Sequence, residues 1–309
     1  MGGVPGRDFL AKINLPMILD NYHRPVLLPQ VIELLKIKKG GSYIDATVGF
    51  GGYALEIIKR KGYVLGIDKD EFPLRILKER KIANLDLYHG NYADLTVIAA
   101  KKGISCVDGI IFDFGLSSYQ IEQSNRGFSF QKNEPLDMRF DQRSALKAVD
   151  IVNNYQAEEL YEIFTKYSEE LYSRSIAEAI VRTRTLKGDI KTSEKLRETI
   201  LAGIKNVKSV NKNSVLARIF QAIRIEVNSD LINIEKGLPQ AASLLREGGR
   251  LTVVSYHSLE DRLVKKFMKQ TARNKELLII TRSPVIPDYQ EIRENSSSRS
   301  AKLRVAEKL

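Results

Sequence analysis

Three aspartates and a run of glycines in the first half of the chain have the types and spacing to hold a nucleoside-bearing cofactor. The segment Asp45-Ala-Thr-Val-Gly49-Phe-Gly51-Gly52 puts one acid and three glycines into a single turn. Glycine there lets the main chain bend sharply and approach a ligand closely, because no Cβ intervenes. A helix that starts after such a turn offers unpaired N–H groups and a partial positive charge, which suit a carboxylate such as that of methionine. Asp68, nineteen residues beyond Gly49, ends the next apolar stretch, where a carboxylate can accept both hydroxyls of a ribose. Asp113-Phe-Gly-Leu-Ser-Ser-Tyr-Gln120 follows a further apolar stretch and forms a polar loop where a substrate can bind. Dinucleotide and adenosylmethionine folds share this layout, so the turn alone leans to the second without deciding it. The GKS or GKT end of a phosphate-binding loop is absent, which excludes that kind of ATPase.

Other residues carry two readings each. His257 in SYHSLED is a possible general base, or a strand-end histidine that bonds a carboxylate such as Asp261. Asp137 and Arg139 in PLDMR could clamp a nucleotide, or form an ion pair within the protein. Phe128 and Phe130 could stack on bases, although aromatics alternating around one serine are more often core. Three scattered histidines and one cysteine cannot build a zinc cluster, so no metal site is expected. Cys106 precedes an apolar strand and reads as a small buried residue.

The elements that must position these groups follow from periodicity. SYIDAT, YVLGID, NLDLYHG and VDGIIFDFG read as strands, separated by helical stretches near 52–61, 70–81 and 93–102. Such alternation predicts an α/β fold with a parallel, doubly wound sheet. It then stops for about a hundred residues. Leu160, Ile163, Phe164 and Tyr167 keep helical spacing, as do Tyr172, Ile176, Ala179 and Ile180. Leu196, Ile200 and Ile204 mark a further helix, with Thr192 or Ser193 as its N-cap. A long helix is expected from about Ser214, then the turn Gly248-Gly249 and the strand RLTVVSY. A helix from Leu259, the strand LLIIT and the strand AKLRVAE would complete the sheet. The expected organisation is an N-terminal tail over 1–21, a sheet domain over 22–116 and 216–309, and an inserted helical domain over 117–215.

The chain of 309 residues carries 49 Lys and Arg against 38 Asp and Glu, a net charge of +11. Between Arg182 and Arg224 stand eleven basic residues and three acidic ones. Such a stretch either gathers phosphates by counterion release or decorates solvated helix faces. No apolar run approaches the roughly 20 residues of a membrane span. The first 22 residues hold Lys12, Asn14 and Pro16 within their apolar part, which argues against a signal peptide, and Gly6 stands where a myristoylation motif wants Ser or Thr. A single cysteine suits a reducing cytoplasm.

Nine segments occur in an order that resembles one family. They are HRPVLL (23–28), DATVGFGG (45–52), HGNY (89–92), DFGLSSYQ (113–120), RGFSF (126–130), PLDMRFD (135–141), FQAIRIEVN (220–228), VVSYHSLEDRLVK (253–265) and RSAKLR (299–304). They resemble the ribosomal RNA small subunit methyltransferase H family, bacterial enzymes that methylate N4 of a cytidine in 16S rRNA near the decoding site. The resemblance implies a class I, Rossmann-like methyltransferase sheet interrupted after its fourth strand by a helical domain that helps hold RNA. It implies S-adenosylmethionine as cofactor, with Gly51, Gly52 and Tyr53 in the glycine turn and Asp68 on the ribose. Tyr92 and Asp113 would lie near the adenine side, and Gln120 would complete the set. The small ribosomal subunit is the expected partner, with neither DNA nor a membrane. The family usually has histidine where this chain has Tyr53, so a main-chain contact there is better founded than a side-chain one.

Amine methylation asks little covalent chemistry of the protein, because a methyl group on a sulfonium is already activated and must only be aligned. Cytosine's exocyclic amine needs acceptors for its protons, and Asp113, Ser117 or a carbonyl of the FGLSS loop can serve; Asp137 and His257 are further candidates. Methylation at C5 would instead need a cysteine nucleophile in an exposed loop. Two other functions fit parts of the sequence: an NAD-dependent dehydrogenase on a similar fold, and a catalytically silent RNA-binding assembly factor.

Overall fold

The computed structural model describes residues 25–309 apart from 206, 208 and 209. The expected N-terminal tail, His23 and Arg24 of HRPVLL, and Lys208 of the basic stretch lie outside the described residues.

The chain divides into two compact units. One comprises residues up to Ser118 together with Lys236–Leu309, and the other Tyr119–Glu235. The first is built on a seven-stranded sheet. Its strands are β1 (Ser42–Asp45), β2 (Tyr63–Asp68), β3 (Leu85–His89), β4 (Val107–Asp113), β5 (Leu245–Ser255), β6 (Leu277–Ile279) and β7 (Lys302–Lys308). Their order is β3-β2-β1-β4-β5-β7-β6. The first five strands pair in parallel and β7 runs antiparallel between β5 and β6. All seven strands fall on the apolar stretches read from the sequence. The expected turn at Gly248-Gly249 lies within β5 instead, where the register against β4 shifts between Val107 and Gly109. That irregularity absorbs the extra residues without ending the strand.

Five helices matter for the cofactor edge: α1 (Leu28–Leu35), α2 (Gly52–Lys59), α3 (Glu71–Glu79), α4 (Leu95–Lys101) and, after β5, α12 (Ser258–Arg273). Helices α1 and α2 bury Val31, Ile32, Leu35, Tyr53, Ala54 and Ile57 in one cluster with Tyr43, Val64, Ile111 and Val254 of the sheet. Full burial of each such aliphatic side chain contributes roughly 1.5–3 kcal/mol. This cluster fixes α2 against β1, and with it the glycine turn between them.

The second unit is helical. It contains most of α5 (Ser118–Glu122), then α6 (Ala148–Asn154), α7 (Ala157–Ser168), α8 (Ser173–Lys187), α9 (Ser193–Gly203), α10 (Lys212–Asn228) and the first turns of α11 (Asp230–Leu244). Leu160, Ile163, Phe164 and Tyr167 form the buried face of α7, as their spacing predicts. Thr192 is the N-cap of α9, its hydroxyl accepting from the Lys195 amide. The sequence reading ended the helical region at 215, whereas the compact unit runs to Glu235. The difference is α10, which packs on α6, α7 and α9 and buries Val215, Leu216, Ile219, Phe220 and Ile223.

Candidate cofactor and active site

Strand β1 ends at Asp45, between β2 on one side and β4 on the other. The loop that follows spans the gap: Ala46 N donates to Ile111 O of β4 at 2.9 Å, and Val48 N to Ile67 O of β2 at 2.9 Å. The chain diverges at this point, which is where open α/β sheets bind their ligands. Gly49 (φ 48°) and Gly51 (φ 88°) adopt left-handed backbone that side chains disfavour. A Cβ at Gly52 would meet the Pro25 ring at 2.8 Å, so only glycine lets Pro25 close over the turn. Gly51 is the N-cap of α2 and makes no side-chain cap, which leaves the Gly52 and Tyr53 N–H groups to a ligand, the Ala54 amide acting on Asp45.

Asp68 is tied into the same turn. Gly49 N donates to its Oδ2 at 2.7 Å and Asp70 N to its Oδ1 at 2.8 Å. Burial is the largest influence on it and pushes its pKa up to about 6, with the Asp70 and Gly49 amides working the other way. Asp45 lies deeper and is fully buried. Burial first, and then the nearby Asp113 and Asp68 carboxylates, push its pKa up to about 8 against the Thr47 amide.

Asp113 ends β4. Its N–H donates to Thr47 Oγ1 at 2.7 Å, and its Oδ1 accepts from the Tyr256 hydroxyl at 2.8 Å. Tyr256 is itself held in place. Its amide donates to Glu260 Oε2 at 2.8 Å, and its ring lies where a Cβ on Gly115 would come within 2.8 Å. Burial, then the charge of Asp113, raises the Tyr256 phenol well above its usual range. Tyr256 and Thr47 were not singled out by sequence reasoning. Their signal was faint: Thr47 stood inside the glycine motif, and Tyr256 beside the more conspicuous His257.

The other predicted residues distribute as follows. Tyr53 is buried with its hydroxyl donating to Val26 O at 2.6 Å, so its side chain belongs to the core. Tyr92 packs edge-on against Phe112 at 5.3 Å and lies 5.8 Å from Phe114. Side chains alternate along a strand, so that aromatic cluster occupies the face of β4 opposite to Asp113. Ser117 is partly exposed in the loop after β4. Gln120 is buried and belongs to the helical unit.

Residues that carried two readings make these contacts within the protein. His257 caps α12: its Nδ1 accepts from Glu260 N at 3.4 Å and its Nε2 lies 2.9 Å from Glu260 Oε1. Its carboxylate partner is therefore Glu260, not the Asp261 that the sequence suggested, because Asp261 is taken by Arg304 (2.6 Å) and Lys302 (3.5 Å). Asp137 and Arg139 form a bidentate pair at 2.9 and 2.8 Å, with Arg139 also donating to the carbonyls of Gln142 and Ser144. Burial opposes the Asp137 carboxylate, but Arg139 outweighs it and keeps the pKa below the usual value. Phe128 stacks on Phe140 at 5.5 Å and Phe130 meets Phe220 at 5.8 Å; Phe128 and Phe220 are buried, and Phe130 and Phe140 are half-buried at the edge of the core. Cys106 is only half-buried, at the opposite end of β4 from Asp113 and roughly 20 Å along the strand.

The basic stretch is less free than its composition implied. Arg184 donates to the carbonyls of Val152 and Tyr155, Arg218 pairs with Glu170, and buried Arg224 pairs with Asp230. Lys191, Lys195 and Arg197 have acidic neighbours at the surface. Arg182, Lys187, Lys205 and Lys212 are exposed and make no ion pair with the described residues. Among the described residues no cluster could hold a metal ion, and no helix is long and apolar enough to cross a membrane.

The strand order, with a glycine turn between diverging strands, defines a class I methyltransferase sheet. The model of the MraW methylase family matches residues 20–309, and the chain belongs to that family of S-adenosylmethionine-dependent methyltransferases. It is 40% identical over 306 residues to the ribosomal RNA small subunit methyltransferase H of Carboxydothermus hydrogenoformans, covering 93% of this chain and 98% of that one. It is 41% identical over 294 residues to the protein of the same name from Thermosipho africanus, covering 94% and 99%. Among solved structures, an rRNA methylase from Streptococcus thermophilus aligns over 93% of this chain and 98% of that one, at 11% identity and a TM-score of 0.42.

Proposed function

We propose that the protein methylates the exocyclic N4 amine of a cytidine in 16S rRNA near the decoding centre, acting in the cytoplasm on the small ribosomal subunit. The observation that carries the chemistry is the polar carboxyl edge of β4, where Asp113 is held by Tyr256 and followed by the Phe-Gly-Leu-Ser-Ser loop. The near-full-length likeness to enzymes named for small-subunit rRNA supports the substrate.

The residues of the turn fit S-adenosylmethionine. Gly52 and the main chain of Tyr53 begin α2 with amides suited to a carboxylate, while Gly51 turns the chain into them, its own amide donating to Val48 O at 2.7 Å, and Gly52 lets Pro25 close over the turn. Asp68 presents its carboxylate for the ribose hydroxyls. Buried Tyr53 takes no part through its side chain, so its presence in place of histidine leaves the turn intact. The bound cofactor supplies a methyl group activated by sulfonium charge.

Asp113 and Ser117 are then placed to accept the amine protons of the target base and to direct its lone pair. Orientation of this kind is the main contribution the protein must make. A cysteine attack on C5 is disfavoured, because Cys106 stands at the far end of β4. A cytidine within folded RNA must be turned out of its stack at a cost of a few kcal/mol. Arg182, Lys187, Lys205 and Lys212 of the helical unit offer phosphate contacts that can offset it.

The test is to incubate the protein and labelled cofactor with small subunits, naked 16S rRNA and free cytidine, then identify the methylated nucleoside. N4-methylcytidine from the structured RNA, with little turnover of free cytidine, is the expected result. Label at C5, on adenine or on protein would refute the chemistry.

A further inference from the structure

Three carboxylates converge on one face of the sheet. Asp45 is aligned with Gly66 of β2 and Ile111 of β4. Aligned residues of parallel strands point the same way, and every second residue repeats the direction. Asp68 lies two beyond Gly66 and Asp113 two beyond Ile111. Both therefore share the face of Asp45, one step nearer the open edge, with Asp45 as the floor of the triangle.

Asp45 has little to hold its charge. It is fully buried, its Oδ1 accepts from Thr47 N at a long 3.3 Å, and its Oδ2 has no hydrogen-bond partner. It forms no salt bridge with the described residues. The groups that act on it are Asp113 from β4, Asp68 from β2 and the Thr47 and Ala54 amides. Tyr53 of α2 faces it as well, and that phenol in turn is influenced by Asp113 and Glu291. Tyr256 reaches the triangle through Asp113. A buried acid among acids, without a cation, takes up a proton at neutral pH, consistent with its pKa of about 8.

S-adenosylmethionine brings two cationic groups, sulfonium and ammonium, against one carboxylate. Its demethylated product, S-adenosylhomocysteine, keeps the ammonium and loses the sulfonium charge. We propose that Asp45 is a charge-sensing specificity residue, which releases its proton to solvent as the cationic cofactor enters and so favours the cofactor over its neutral-sulfur product. The inference rests on the cofactor reading above. Asp45 touches no solvent, so it acts through the field of its charge and not by contact; no bond to the cofactor forms. The three-acid triangle thus has a division of labour, with the two outer acids binding and the inner one reporting charge.

Calorimetry on the full chain tests this, run at pH 6.5–9 in buffers of different ionisation enthalpy. The protons exchanged by the free ligands are measured separately and subtracted. Near pH 7.5, S-adenosylmethionine is expected to release about half a proton or more from the protein, and S-adenosylhomocysteine clearly less. The affinity ratio between the two should rise about three- to tenfold per pH unit and level off above about pH 8. Asp45→Asn, nearly isosteric and always neutral, should abolish the difference and flatten the ratio.

Should that variant not fold, carboxyl carbon-13 NMR of the wild type decides. One aspartate resonance should titrate near pH 8 in the free protein and read as ionised at pH 7 in the complex. Equal proton release for both ligands, or an Asp45 already ionised in the free protein, overturns the proposal. Failure of either ligand to bind overturns the cofactor reading instead.

Discussion

The acids of the helical unit and those at the carboxyl edge of the sheet are treated in opposite ways by the same chain. Asp137 is gripped bidentately by Arg139, and Glu170 pairs with Arg218 and Asp230 with Arg224. Each charge is neutralised within the unit, and Asp137 is held below its usual pKa. Asp45 and Asp68 accept hydrogen bonds only from main-chain amides, and burial raises both, to about 8 and, against the charge of the adjacent Lys69, to about 6. The contrast is not one of unit alone, since Asp261 of the sheet unit is paired with Arg304 and is also held low. Paired acids organise structure, whereas buried acids without a cation mark the place where a positively charged ligand is expected.

The sharpest way to break this comparison is Asp68→Ala. Loss of a charged acceptor for two ribose hydroxyls should weaken S-adenosylmethionine binding by about 2–4 kcal/mol. Calorimetry on a folded variant with unchanged affinity would remove Asp68 from the site. The mirror experiment is Asp137→Asn, which strands the Arg139 guanidinium. It should cost roughly 2–3 kcal/mol of stability in chemical denaturation, below the full value for a buried pair because both side chains keep some solvent. Cofactor affinity should stay unchanged; a large loss of it would give the pair a binding role after all.

The pH dependence of stability sharpens the contrast further. Asp45 and Asp68 have folded pKa values above their unfolded ones, so their contribution is complete below about pH 4. It is lost as pH rises through about 6 and then about 8. The free protein should therefore lose a few degrees of Tm between pH 6 and 9, and added S-adenosylmethionine should restore part of it. A Tm that climbs over this interval contradicts the burial of these acids.

Reversing the charges of Arg182, Lys187, Lys205 and Lys212 should flatten the salt dependence of RNA binding by roughly 0.7–0.9 of a slope unit for each phosphate they no longer neutralise. An unaltered slope would make these residues an ordinary solvated surface. The smallest effect is expected from His257→Asn. Asparagine also caps a helix, so stability should change by less than about 1 kcal/mol, and turnover should stay within about twofold if capping is the only role. A large fall in kcat at constant stability would return His257 to the catalytic candidates.

The strands and the glycine turn were legible because both rest on local rules. Apolar runs of strand length recur at regular intervals, and Gly49 and Gly51 stand where the backbone needs positive φ. The extent of the helical unit was harder to read, since α10 is helical by pattern in either unit and only its packing on α6, α7 and α9 assigns it. The basic stretch misled for a related reason: a count of charges does not reveal that Arg184 serves carbonyls 29 and 32 residues away, or that Arg224 is buried. The Tyr256–Asp113 contact joins residues 143 apart, which no local spacing can announce.

The interruption of the sheet by the helical unit has a consequence for how the chain is made. β4 emerges from the ribosome with only one of its two final neighbours, β1, available to pair with. Its other neighbour, β5, cannot be synthesised until the whole of Tyr119–Glu235 has been, which takes on the order of ten seconds at cellular translation rates. Throughout that interval the apolar run Ile110-Ile111-Phe112 presents an open strand edge, a template for pairing with another chain. Asp108, inside the same strand, can already be satisfied, because it accepts from Ser42 N of β1 at 2.9 Å. Lys38, made earlier, pairs with it at 3.4 Å, and Arg246 joins them only with β5. A charged pair at that strand guards the nascent edge against aggregation, and it gains a further cation once the sheet is complete.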